Sequence, residues 1–493
     1  MVDTNKNLAY KLSTTSIIDI PEEELKWCTV NLSEVMNNGF RLEASVYEIE
    51  GRHAWEVLEK CKYKSIPLLG TNGIIKQAFY PSRFKRIYVE KKYGIPFFLP
   101  SQILEINPKP VKYISPVTDA DIEELKIKKG TLLLTRSGTI GNCAIASKTL
   151  QNKVFSDDII RISFYDEIYL GYVYAFLRTK IGSVLINTNK YGAVVSHIEP
   201  EHLQNILIPD PPDMLKKQIH ELIMKSYELR DESNELLDKA EKLLIEELEL
   251  PLIDDFKPKY FCEASELKNY TVRLSELQGR LDASYHVPIV KAIIEHLNEH
   301  ASEVTTIGDP RISKRVILPG RFKRVYVEEG QGIKFLGGKE ILELDPITDK
   351  FLSVRHHKKI IDEELFIKAN SILTTSRGTL GKVVLAPKHF EGWAISDNLI
   401  QIVPDTRVAG YLYVFLNSDY GYNLINSFSY GSVVNALEVV HVCEVPVPFL
   451  KNSEIQGTIN QLALEANDKR YEAYKLEQEA IKIVNDEVIH KTK

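Results

Sequence analysis

Three cations within four residues, occurring twice, are the strongest chemical signal in this 493-residue chain. Arg83, Lys85 and Arg86 surround Phe84 after a Pro-Ser turn, and Arg321, Lys323 and Arg324 surround Phe322 after a Pro-Gly turn. Cations at this density beside an aromatic ring suit contact with phosphates, and one arginine among them can reach a guanine edge through two hydrogen bonds. The wider octet, Arg83 to Glu90, returns as Arg321 to Glu328 with one change at a separation of 238. Such invariance favours phosphate positioning over base reading, because unequal half-sites need unequal readers. A solvated charged loop is normally the commoner explanation, but it does not account for the repetition.

Two further motifs come in pairs. Thr135 to Gly141 and Thr375 to Gly381 place an arginine beside a serine in swapped order, Arg136-Ser137 against Ser376-Arg377. Glycine permits a tight turn and a close backbone approach, so these turns are either sheet-edge hairpins or DNA contacts. They are not nucleotide loops, since Gly378 to Lys382 lacks both the P-loop glycine spacing and the hydroxyl residue after the lysine. Lys190-Tyr191-Gly192 and Tyr430-Gly431 offer an aromatic that either packs on a sugar or caps the core.

The elements around these motifs repeat as well. Cys28–Val35 matches Tyr270–Leu277, Arg41–Ser45 matches Arg280–Ser284, and Phe155–Ile160 matches Ile395–Ile400, all at nearly one offset. Two copies with a period far above 50 residues indicate a duplication and not a solenoid. The chain divides into an extension (1–24), a first globular domain (25–212), a long helix (213–250), a linker (251–268), a second domain (269–449) and a distal long helix (450–493). Within the first domain, strands are expected at Lys64–Leu69, Arg86–Glu90, Pro96–Leu99, Thr131–Thr135, Asn142–Ala146 and Ile159–Phe164, forming a curved mixed sheet. A helix is expected at Leu170–Thr179, with its twin at Gly410–Ser418. The class is α+β.

Leucine recurs every seventh residue in the central long helix, at Leu215, Leu222, Leu229, Leu236, Leu243 and Leu250, which is a coiled-coil stripe. The alternate seam is mostly small: Ile219, Ser226, Ser233 and Ala240. The distal helix repeats both rows, with Ile455, Leu462, Lys469, Leu476 and Ile483 beside Ile459, Ala466, Ala473 and Ala480. Small seams let backbones approach, so the helices are expected to pair antiparallel, the large row of one meeting the small row of the other. From Leu215 to Leu250 such a rod is about 54 Å long and would hold the globular units well apart. Lys469 is the misfit, to be explained by snorkelling or by a partner chain.

A net charge of −6 does not exclude nucleic acid, because local field decides phosphate affinity. Residues 61–200 carry +9 and 301–440 carry +1, whereas 213–250 carry −5 and 451–488 carry −3. Five dispersed cysteines read as reduced cytosolic thiols and not as a zinc site. No run reaches the roughly 18 apolar residues of a membrane span, and no leader segment is apparent. A cytoplasmic location is expected.

The two domains, the duplicated Gly-Thr-(Ile/Leu)-Gly turns at 138–141 and 378–381, the Tyr-Gly before an Ile-Pro or Val-Pro strand, and the long helix directly after together resemble the specificity (S) subunit of type I restriction-modification systems. The resemblance spans the chain from about residue 25. It implies a non-catalytic reader of a bipartite duplex DNA site, with methyltransferase subunits, two of them, docked on the helices. It also implies S-adenosylmethionine in the partner and no cofactor or metal in this chain, and it allows a translocating endonuclease subunit to join. The same architecture could serve another phage-defence or type IIB-like assembly, or a protein-binding scaffold without DNA contact.

Two enzymatic readings are weaker. Amino-methyltransferases hold their target amine with Asp-Pro-Pro-aromatic, but Asp213 follows Asp210-Pro211-Pro212 here, and the second half has Pro446-Val447-Pro448-Phe449. The pairs Asp157-Asp158 and Asp397-Asn398 hint at metal. The second copy loses a charge, however, and no Glu-x-Lys follows closely.

Overall fold

The computed structural model describes residues 29–37, 40, 47–190, 196–253, 255–256, 270–277, 279–283, 285–431 and 434–491. The expected extension and most of the expected linker fall outside these residues.

Two rods form the centre. The first, Asp213–Glu247, starts directly after Pro211-Pro212 and runs 35 residues without glycine or proline. It stops where Glu249 turns left-handed (φ 46) ahead of Pro251. The second, Ser453–Ile483, is capped by Asn452, whose side chain accepts from the backbone N–H groups of Glu454 and Ile455, satisfying donors that a helix start leaves bare. The rods are antiparallel. Ser226 Oγ donates to the Ala473 carbonyl (2.7 Å), Lys469 pairs with Glu232 (2.7 Å), and Arg470 Nε donates to Ser233 Oγ (3.3 Å). Towards the ends, Ile219 shares a core with Ala480, and Ala240 shares one with Ile459.

The seam differs from the expected large-into-small pattern. Ile219, Ser226, Ser233, Ala240, Ile459, Ala466, Ala473 and Ala480 are fully buried, and Ser226 against Ala473 is a small-to-small contact. Leu215, Leu222, Leu229, Leu236, Leu243, Ile455, Leu462, Leu476 and Ile483 are only half-buried, along its border. The globular lobes supply the reason, because they cover a further stripe (Ile223, Tyr227, Leu237 and Leu244) that takes over the apolar burial a free coiled coil would ask of its leucines. Lys469 is explained by Glu232 across the seam.

Each lobe is built from separate sheets and not from one curved mixed sheet. In lobe 1 an antiparallel sheet runs in the order Ile75–Phe79, Ile159–Phe164, Leu132–Thr135, Cys143–Ile145. A smaller sheet pairs Lys112–Ile114 with Ile95–Phe98, which runs parallel to Val154–Phe155. A two-strand ribbon, Ser65–Pro67 with Leu207–Pro209, closes the lobe. Lobe 2 repeats the large sheet with Ser313–Ile317, Leu399–Pro404, Ile372–Thr375 and Val383–Leu385. The strand expected at Arg86–Glu90 shrinks to one bridge at Tyr88, where Ile87 and Tyr88 are both exposed and break the alternation that the counterpart, residues 325–327, keeps.

Between sheet and rod lies a helix buried along most of its length, Ile168–Arg178 in lobe 1 and Ala409–Asn417 in lobe 2. Tyr172 donates to the Pro209 carbonyl (2.5 Å) and Tyr411 to that of Pro448 (2.6 Å), so the duplication extends to single hydrogen bonds. Each helix meets its rod at a glycine: a Cβ on Gly171 would lie 2.7 Å from His220 Cα, and one on Gly410 would lie 2.3 Å from the Asn460 carbonyl oxygen.

The lobes are not held well apart. Glu105 pairs with Glu343 in an antiparallel bridge, and the Ile106 N–H donates to the Leu342 carbonyl (3.0 Å). Among the described residues no helix is long and apolar enough to cross a membrane.

Candidate nucleic-acid interface

In each lobe the repeated motifs converge on one short turn, Ser156–Asp158 in lobe 1 and Ser396–Asn398 in lobe 2. Arg86 donates to Asp157 Oδ1 (2.5 Å) and Ser156 Oγ (3.1 Å), with its guanidinium 5.8 Å from the Phe84 ring and 5.7 Å from that of Phe97. Arg324 repeats this on Asp397 and lies 5.3 Å from Phe335. Phe84 meets Phe97 edge-on, and Phe322 meets Phe335 the same way. The third cation of each cluster is therefore an anchor, about one-third exposed. The anchor leaves the other two cations outside: Arg83, Lys85, Arg321 and Lys323 are exposed, and none of them forms an ion pair among the described residues. Adjacent to an anchored arginine yet open to solvent, these four offer positive charge to a backbone of phosphates.

The glycine turns abut the same place. Thr135 Oγ1 donates to the Thr139 carbonyl and Thr375 Oγ1 to that of Thr379. Gly138 and Gly378 adopt φ 76 and 82 with open space around them. Gly141 and Gly381 also adopt positive φ, and a Cβ there would press on Ile186 or on Tyr422 and Asn426. The second glycine thus serves packing, while the tip at residues 138–139 and 378–379 stays exposed.

Arg136, expected as a DNA contact, is only 5% exposed. It is consumed by Glu199 on one side and Asp158 (3.2 Å) on the other, with its guanidinium 4.2 Å from the Tyr80 ring. Ser137 donates to Asp158 Oδ2 (2.8 Å) and is half-buried. In lobe 2 the corresponding Ser376 is likewise buried, at 1% exposure, which removes it as a direct contact, and Asn398 stands where lobe 1 has Asp158. The charge pair has gone as a unit, and the arginine has moved one residue outward to the half-exposed Arg377, which bridges to Ala436. Tyr430, 37% exposed, donates to Glu438 Oε1 (2.6 Å). Lys190 is half-buried, and Tyr191 lies outside the described residues.

The overall likeness runs to S subunits of type I restriction-modification systems. The S subunit from M. genitalium is 15% identical over 86% of this chain and 98% of its own, with a TM-score of 0.29. The HsdS subunit from Thermoanaerobacter tengcongensis is 12% identical over 86% and 100%, with a TM-score of 0.25. A chain from a structure concerned with complex assembly and conformational transition of the type I system gives 15% identity, 85% and 97% coverage, and 0.26. No family model and no curated protein sequence matches the chain. At these scores the likeness carries no weight for function, which rests below on the residues just described.

The sequence did not single out Tyr80 or Glu199, and it offered Asp157, Asp158 and Asp397 only as a hint of metal. Tyr80, Glu199 and Asp158 lock Arg136, and Asp157 and Asp397 hold the anchors. The signal was present in part, because the acidic turns repeat and Glu199 recurs as Glu438 at an offset of 239. Asp210, weighed above as part of an amine-binding motif, takes the buried Lys216 ammonium (2.6 Å) at the start of the first rod, a lobe-to-rod fastening. Among the described residues no group of three or more His, Cys, Asp or Glu side chains could hold a metal ion.

Proposed function

We propose that this chain is the DNA sequence-specificity subunit of a restriction-modification complex. It reads a bipartite duplex site with its two lobes and docks adenine methyltransferase subunits on its rods, and the partners hold S-adenosylmethionine and perform the chemistry. The observation that supports this best is the anchored cation loop, repeated in both lobes with the same aromatic and carboxylate partners and joined through one antiparallel rod pair. The exposed cations position phosphates, and the unlike glycine turns, with Arg136 locked in one and Arg377 turned outward in the other, supply the inequality that two different half-sites demand.

Binding of the full chain to duplex DNA across a salt series tests this. Affinity should fall linearly on logarithmic axes, with a slope of about −0.9 for each phosphate neutralised. Affinity independent of salt, or methyl transfer by the purified chain alone, would refute the assignment.

A further inference from the structure

Glu105 and Glu343 are equivalent positions of the two repeats, 238 residues apart, so their bridge lies on the local twofold axis between the lobes. On one side of that bridge the interface is sealed. Arg178, at the end of the lobe 1 helix, donates to Asp345 Oδ2 (2.6 Å) and to the Asp345 carbonyl (3.3 Å) of lobe 2, with the two side chains only 8% and 12% exposed. Asp345 also takes Gln478 Nε2 of the second rod (2.9 Å) and faces Lys334 (3.5 Å). Arg178 reaches the buried Glu477 (3.6 Å), which accepts in turn from Tyr174 and pairs with Arg230 of the first rod. One buried network thus ties both lobes to both rods.

On the opposite side the equivalents cannot form it. Arg178 is replaced by Asn417, Asp345 by Asn107 and Glu477 by Leu237. In their place lies an open cleft of about 970 Å³, lined by Lys109, Glu241, Tyr413 and Asn417 among others. Among the described residues three polar contacts cross it: the exposed Lys109 to the Asn417 carbonyl (2.6 Å) and Lys91 to Asp419 (3.4 Å), and the half-buried Lys382 to Glu105 (3.3 Å) beside the bridge itself, none of them tied into the rods.

We infer that the gap accepted between the two half-sites is set by this one-sided lock, centred on Arg178 and Asp345, and not by rod length alone. The inference rests on the DNA-reading proposal above. The bridge at Glu105 and Glu343 is a pivot, the cleft is room to move, and the buried ion pair forbids the movement. An opening of about 3.4 Å between the reading loops corresponds to one base pair of gap. Arg178 and Asp345 are therefore positioning residues that touch no DNA.

Selection of duplexes from a random pool by the full chain tests the lock. The wild type should enrich two sequence blocks at one gap length. Arg178→Met combined with Asp345→Leu, which leaves no buried charge stranded at this pair, should enrich the same blocks at neighbouring gaps as well. Asp345→Asn, milder and nearly isosteric, should do so to a lesser degree, and a thermal scan checks that each variant folds. In parallel, spin labels on non-natural residues at positions 85 and 323 report the distance between the loops, and its distribution should broaden by about one base-pair rise in the double variant. A single retained gap, or an unchanged distance distribution, in a folded variant overturns the inference. If the wild-type pool enriches nothing, the DNA-reading proposal fails instead, and the distance distribution alone decides whether the lock exists.

Discussion

Chemically identical substitutions at two glycines of lobe 2 and its rod should change stability in opposite directions. Gly410 lies in the helix Ala409–Asn417, where a Cβ would sit 2.3 Å from the Asn460 carbonyl oxygen and 2.9 Å from Ala463 Cβ on the rod. Neither atom is the end of a flexible side chain, so helix and rod must separate, and overpacking of this kind costs about 1–3 kcal/mol. At 2.3 Å from a backbone oxygen the cost belongs to the upper part of that range, about 2–3 kcal/mol, and alanine returns roughly 0.8–1 kcal/mol of helix propensity, leaving a net loss of about 1–2 kcal/mol. Gly457, within the rod Ser453–Ile483, has nothing within 4 Å of its would-be Cβ. There the propensity gain stands alone, and Gly457→Ala should stabilise by about 0.5–1 kcal/mol. Urea unfolding followed by Trp393, the lobe 2 reporter once Trp27 and Trp55 are changed to phenylalanine, gives both midpoints against the same parent. A Gly410→Ala midpoint at or above that of the parent would show that the tight approach of helix to rod does not constrain the fold.

The remaining predictions concern buried charge and the cation loops. Glu477→Leu strands Arg230 in the interior, while Arg178 keeps Asp345, and should cost about 3–5 kcal/mol, visible as a large drop in the unfolding temperature. Glu343 is 5% exposed, and burial pushes its carboxyl up to about 7. In the folded state it therefore keeps its proton up to about pH 7, while the unfolded chain releases it near its ordinary value, so stability falls as pH rises between about 4.5 and 7. Glu343→Gln should flatten that part of a stability-against-pH curve, and an unaltered slope would assign the dependence elsewhere. Replacing Lys85 and Lys323 by alanine should weaken duplex binding for all sequences alike and reduce the salt slope by about 1 for each lysine. A change confined to one sequence would make them base readers.

The parts of this molecule legible in its sequence are those governed by short-range periodicity. Heptads without proline specify rods, apolar stripes locate the helices at 168–178 and 409–417, and near-identical octets reveal the duplication. Long-range pairing escaped. Nothing local distinguishes Arg136, fastened to Glu199 63 residues away, from the exposed Arg83. The leucine row looked like the seam because its spacing is that of a free coiled coil, whereas the lobes shift the buried face toward Ile223 and Leu237. The direct meeting of the lobes depends on a backbone bridge between two glutamates, residues whose type argues for the surface.

The core of lobe 1 contains Ala480, Val484, Val488 and Ile489 from the far end of the chain, and the Cys61 thiol donates to the Val488 carbonyl (3.0 Å) across 427 positions. During synthesis the first half therefore emerges from the ribosome with an apolar face that nothing yet made can cover. It must wait, exposed to chaperones and proteases, until residues 480–489 are translated. A stop codon ahead of position 480 would leave both cation loops encoded and the N-terminal lobe without part of its core.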